Sequence, residues 1–128
     1  MSILGGAPLM AFIPVSDIEA ARQFCSTTLG LHVVEDSPFA LVVPAAGTTP
    51  RITPVDHLRP QPFTVAGWMV DDIVATADAL SDTGIPCLSY PGMAQDGRWI
   101  WTAPDGDRVA WFNDPGANTL SITQFVPA

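Results

Sequence analysis

Ile13 to Leu31 reads IPVSDIEAARQFCSTTLGL, and Trp68 to Ile85 reads WMVDDIVATADALSDTGI. Each stretch opens with apolar residues suited to a strand, passes through a hydroxyl or carboxylate able to cap a helix, and ends its helical pattern at a glycine. In the first, Ser16 and Glu19 have the spacing of a capping box, the helix is expected to run to Leu29, and Gly30 stops it. In the second, Asp71 is the expected N-cap, Ile73, Ala77 and Leu80 share one helical face, and Gly84 is the stop. Asp17 and Asp72 stand 55 positions apart, and Gly30 and Gly84 stand 54 apart. One unit therefore occurs twice.

Strand-like segments follow each helix: HVVED, FALVV and PRITPV in the first half, then CLSY, RWIWT, RVAWF and LSITQ in the second, divided by Pro, Gly and Asp turns. Each half then reads β-α-β-β-β, with room for one extra hairpin strand in the second. The polar, proline-rich DHLRPQP, Asp56 to Pro62, connects the two modules. Neither module is large enough to close a core alone.

The 128-residue length suits one domain that folds without disulfides or a structural metal. No apolar run approaches the ~20 residues of a membrane span, so no membrane partner is expected. The opening MSILGGAPLM lacks the basic and apolar regions of a signal peptide, and Cys25 and Cys87 read as small buried thiols in a reducing, cytoplasmic setting, with a disulfide as the alternative. The formal net charge is −8, and the five basic residues are all arginine. That balance cannot build a basic stripe for nucleic acid. The absence of lysine also excludes Schiff-base and P-loop lysine chemistry.

With V-S-D-I before one helix, V-D-D-I before the other, L-G-L after the first and D-P-x-x-N-T-L near the end, the chain resembles the vicinal oxygen chelate superfamily. This superfamily includes the glyoxalase, bleomycin-resistance and extradiol-dioxygenase proteins. The resemblance spans nearly the whole chain, from about Leu9 to Phe125. It implies an α+β fold in which two tandem βαβββ modules, about 8–56 and 63–126, form a single domain with a curved-sheet cup and outer helices. It further implies metal ligands on the first and last strand of each module. Carried over one by one, those positions fall on Met10 and Val65 in the first strands and on Ser121 in the last. In module one's last strand, the alternation that buries Ile52 turns Thr53 to the cup. A thioether, a valine and two hydroxyls cannot supply the three or more strong donors a divalent metal needs. Neither metal nor cofactor is therefore expected.

The remaining candidates are ligand contacts. Trp99 and Trp101 are placed on one face of a strand and Trp111 on the next, as either an aromatic wall of the cup or a packed or dimer-facing surface. Trp68 is assigned to the helix side. Arg51, with the parity of Thr53, is a candidate anchor for a carboxylate or phenolate, or an ordinary surface arginine. Phe12 and Met69 join the apolar ligand-binding set, and Met93 sits in PGMAQDGR, expected to be a mobile loop at the mouth of the cup and bordered by Tyr90. His32 and the Asp56-His57 pair read mainly as solvated residues, with acid-base work by His57 as the sharper alternative. Asp71-Asp72 and Glu35-Asp36 have structural explanations at a helix cap and a strand end.

Two functions follow. One is metal-independent binding of a flat, mostly apolar small molecule, in the manner of bleomycin-resistance proteins. The other is a metal-independent lyase, isomerase or hydrolase using His57, Arg51, Ser121 or a nearby Asp. The high apolar fraction and the family habit both point to a homodimer.

Overall fold

In the computed structural model, which describes residues 2–44 and 46–127, the chain divides into two compact units at Arg59 and Pro60. Each carries one four-stranded mixed sheet and one helical layer.

The first unit contains β1 (Leu9–Val15), α1 (Ile18–Gln23), β2 (Glu35–Asp36), β3 (Leu41–Val42) and β4 (Thr48–Pro54). The strand order is β1-β4-β3-β2, with β1 parallel to β4 and the other pairs antiparallel. The helix starts one residue later than the capping-box reading: Asp17, not Ser16, is the N-cap. Its backbone is extended, and one carboxylate oxygen accepts from the amides of Glu19 and Ala20 at 3.0 and 3.2 Å. A carboxylate there also suits the positive end of the helix. At Phe24 the helix passes into a π-helical turn, Phe24–Thr28, closed by the Leu29 amide on the Phe24 carbonyl at 2.9 Å. Gly30 then leaves in the left-handed region, φ 70°, as the stop signal requires.

Packing follows the pattern of alternation. Ile13, Val15, Leu41 and Ile52 are buried together with Ala21, Phe24 and Cys25 of the helical layer. Leu41 and Ile52 are direct cross-strand partners. The edge of this layer is tied by Arg22, whose guanidinium donates to both carboxylate oxygens of Asp36 at 2.6 and 2.7 Å. That bond holds the Asp36 carboxyl below the usual range.

The second unit repeats the plan with β5 (Thr64–Met69), α2 (Ile73–Asp82), β6 (Trp101–Thr102), β7 (Arg108–Asn113) and β8 (Thr119–Gln124), in the order β5-β8-β7-β6. Again the cap is the second residue of the pair: Asp72, not Asp71, accepts from the Ala75 amide at 3.0 Å. Ile73, Ala77 and Leu80 of α2 are buried with Ala110, Phe112, Leu120 and Ile122 of the sheet. Burying each large apolar side chain contributes about 1.5–3 kcal/mol. Trp68 stacks on Phe112, ring centroids 6.3 Å apart, which places it on the helix side as its parity predicts.

Four expected strands change: HVVED and FALVV pair as strand only at Glu35–Asp36 and Leu41–Val42, and two segments of the second unit depart further. Cys87–Tyr90 forms no ladder, so the second sheet has no extra strand. The Leu88 amide reaches the Trp111 carbonyl at 2.7 Å, while the Gln95 side chain satisfies the Tyr90 amide and the Leu88 carbonyl at 2.7 and 2.9 Å. An amide side chain thus does locally what a neighbouring strand would do. RWIWT is extended only at Trp101–Thr102, because Trp99 adopts a left-handed conformation, φ 64°, in a turn closed onto Asp96. Among the described residues, no helix is long and apolar enough to cross a membrane.

Candidate functional site

Each sheet has one face against its helix and one face turned away, and the second kind carries most of the candidate residues. In the first unit the pairings Phe12 with Arg51 and Pro14 with Thr53 put these side chains, together with Met10, on the face opposite Ile13 and Ile52. Phe12 is 63% exposed and Met10 about half exposed. Val42 pairs with both Arg51 and Glu35, so the arginine lies across it from the Glu35 carboxylate, at 3.9 Å. A contact that long between a half-buried arginine and an exposed carboxylate is weak. Arg51 therefore keeps donor capacity for an anion.

In the second unit, one cross-strand row joins Gly67 of β5, Ser121 of β8 and Trp111 of β7. The next row joins Met69, Thr123, Val109 and Trp101, so Met69, Trp101, Trp111 and Ser121 share a face. Trp111 and Trp101 approach to 6.4 Å between centroids with a 35° tilt, and Tyr90 meets Trp111 edge-on at 5.4 Å and 87°. Edge-to-face contact sets the positive edge of one ring against the negative face of the other. All three rings are half-buried, so part of each stays open. Along these rows the side chains are apolar, hydroxyl-bearing or aromatic, and none carries a formal charge at pH 7.

Ser121 is 9% exposed, and no hydrogen bond of its hydroxyl to another described residue is present. It lies directly beside Gly67: a methyl group added to that glycine would collide with the Ser121 hydroxyl oxygen. Glycine here permits close approach of β5 to a side chain of β8, not an unusual backbone angle.

Three candidates fall elsewhere. Val65 is the extra residue of a β-bulge, since the pairing shifts between Thr64 and Ala66, so parity counted from Val65 fails at this strand. Trp99, 44% exposed, stands in its turn and not on the strand of Trp101. Met93, also partly exposed, belongs to a segment that is pinned. The Gln95 amide donates to the Leu88 and Trp99 carbonyls at 2.9 and 2.8 Å, and Arg98 makes a two-pronged contact with Asp78 at 2.8 and 3.2 Å. The expected mobile loop is thus tied at Gln95 and Arg98. His32, Asp56 and His57 are exposed.

The positions at which the resemblance implies metal ligands do not fit a metal. Met10 and Thr53 offer a thioether and a hydroxyl, Val65 has no donor, and Ser121 is a neutral hydroxyl packed against Gly67. Among the described residues, no three His, Cys, Asp or Glu side chains stand close enough to hold an ion.

Sequence reasoning missed Thr64, whose hydroxyl accepts the Trp111 indole N–H at 3.1 Å, and Tyr90 as a partner of Trp111. No sequence signal marks the bulge that turns Thr64 to this face.

No protein-family model and no curated protein sequence matches the chain. Solved structures do. A member of the glyoxalase/bleomycin resistance protein/dioxygenase superfamily from Sphaerobacter thermophilus is 25% identical, with a TM-score of 0.72 over 91% of this chain and 95% of that one. TnmS3, an antibiotic binding protein from Streptomyces sp. CB03234, is 23% identical, with a TM-score of 0.74 over 98% and 100%. A lactoylglutathione lyase from Agrobacterium tumefaciens is 15% identical, with a TM-score of 0.72 over 94% and 95%. The chain has the α+β, two-module fold of the glyoxalase/bleomycin resistance/dioxygenase superfamily, in agreement with the resemblance read from its sequence.

Proposed function

We propose that the protein binds a flat, mostly apolar small molecule against the aromatic face of the second sheet, without metal and without covalent chemistry. The observation that carries this reading is the Tyr90–Trp111–Trp101 cluster on a face without formal charge. A half-open wall of fixed aromatic planes recognises an uncharged planar ligand by stacking and apolar burial. Catalysis needs polar groups converging on one reacting atom. This face offers hydroxyls and one amide, and the histidines stand apart in exposed segments. The same fold in an antibiotic binding protein is consistent with a binding role. The reading includes a cytoplasmic homodimer that takes up neither nucleic acid nor metal; sedimentation and elemental analysis test the assembly and the metal.

Native mass spectrometry of gently purified protein should reveal a retained uncharged aromatic compound. Titration with Nile red, an uncharged planar dye, supplies a measure independent of that compound. Trp111→Ala should weaken dye binding about tenfold or more, given the ~1–3 kcal/mol of a good aromatic anchor, and Ser121→Ala by less than about fivefold. Turnover of the retained compound that Ser121→Ala abolishes while binding survives would replace this reading with the lyase, isomerase or hydrolase alternative.

A further inference from the structure

The position of Thr64 depends on an irregularity. Counting by alternation from Trp68 and Ala66, both on the helix side, Thr64 should also face the helix. The bulge at Val65 reverses this, and Thr64 pairs with Thr119, which shares its face with Ser121 and Thr123. Bulges re-aim side chains in this way. The result is a hydroxyl on β5 that accepts the indole N–H of Trp111 on β7 at 3.1 Å, with β8 lying between them.

The span dictates the pose of the ring. Neighbouring strands lie about 4.8 Å apart, so a bond from β7 to β5 covers roughly twice that distance. A tryptophan and a threonine bridge it only if the indole lies along the sheet, crossing β8, and does not stand up from it. The burial of Ser121 on β8 agrees with an indole laid across it. One face of the Trp111 ring then points away from the sheet, and the rings of Tyr90 and Trp101 flank it at 5.4 and 6.4 Å between centroids, inclined by 87° and 35°. The ring contacts permit sliding and rotation; the hydrogen bond is the directional restraint.

We propose that Thr64 is a positioning residue for ligand binding: by accepting the Trp111 N–H it fixes the plane on which the ligand stacks. This rests on the binding reading above. Indole nitrogen is a donor only, so once Thr64 satisfies it the ring has no polar demand left and can be covered by an apolar molecule without cost. A ligand that covers the ring also shields this exposed bond from water, so the restraint strengthens as the site fills. Planar ligands parallel to the sheet are favoured over bulky, three-dimensional ones.

The test compares Thr64→Val, which keeps shape and loses the acceptor, with Thr64→Ser, which keeps the hydroxyl, and with Trp111→Ala. Ligand-free protein is examined by near-ultraviolet circular dichroism and by the Trp111 indole N–H resonance, and binding is measured with Nile red. Thr64→Val should shift the indole resonance, alter the tryptophan dichroism and weaken dye binding roughly five- to tenfold. Its far-ultraviolet spectrum and melting temperature should stay near wild type, since valine suits a strand. Thr64→Ser should retain both the spectrum and the affinity. If Thr64→Val keeps wild-type affinity while Trp111→Ala loses it, or if Thr64→Ser fails in the same way as Thr64→Val, the positioning role is overturned and the binding reading stands. If Trp111→Ala binds like wild type, or wild type does not bind the dye, the binding reading falls and takes this proposal with it.

Discussion

The two sheets share one strand order and one helix placement, yet their faces turned away from the helices have different chemistry. On the first, β1 and β4 pair without interruption from Leu9 to Val15, and the exposed side chains are Met10 and Phe12 beside a loosely paired Arg51. On the second, a bulge interrupts the equivalent pairing of β5 with β8, and the face carries an aromatic cluster with neutral hydroxyls. The helical layers differ as well. The first loosens into a π-helical turn, while α2 stays regular for ten residues. Each unit closes its core through the face against its helix, with Ile13, Leu41 and Ile52 buried in the first and Phe112, Leu120 and Ile122 in the second. The open face is free to diverge because little packing depends on it.

The largest expected effect tests that division directly. Phe112→Ala, at 1% exposure, should destabilise the protein by about 3–5 kcal/mol in urea titrations, and Phe12→Ala, on the open face, by no more than about 0.5 kcal/mol. Equal losses would mean that Phe12 is buried in the working assembly, for instance at a dimer interface. The next effect concerns the close contact that only the second sheet contains. Gly67→Ala forces a methyl group onto the Ser121 hydroxyl and should cost about 1–3 kcal/mol. Ser121→Ala removes the oxygen, so the double variant should recover about 1 kcal/mol or more relative to additivity. Additive losses would place the strain against the Ser121 carbonyl instead.

The smallest effect concerns the ion pair that ties the second unit's loop to α2. Hydrogen bonding to Arg98 holds the Asp78 carboxyl below its usual range. A carboxylate with a depressed native value stabilises the fold above its unfolded value and loses that contribution as pH falls through the native one. The stability gap between wild type and Asp78→Asn should therefore be constant near neutrality and close under acid conditions. Because both partners are about half exposed, the gap should also shrink in high salt. A gap independent of pH and salt would show that the asparagine disturbs packing and not charge.

The sequence alone determined the repeat, both helices with their glycine stops, and the faces of Ile52 against Thr53 on β4 and of Trp68 on β5. These features are local or periodic: a cap needs only its own turn, and a 3.6- or 2-residue alternation survives in the bare chain. Both caps were nevertheless placed one residue early, on Ser16 and Asp71 instead of Asp17 and Asp72, because adjacent polar residues compete for the same role and only the backbone angles decide. Tertiary structure alone decided which tryptophans act together. Trp99 leaves its expected strand because its turn takes it into the left-handed region, and Cys87–Tyr90 stays out of the sheet because Gln95, distant by several residues, occupies its backbone groups. The contact of Thr64 with Trp111 joins residues 47 positions apart through a single inserted residue in β5. A bulge reverses every parity before it, and its location is set by the pairing partner, which the chain meets only on folding.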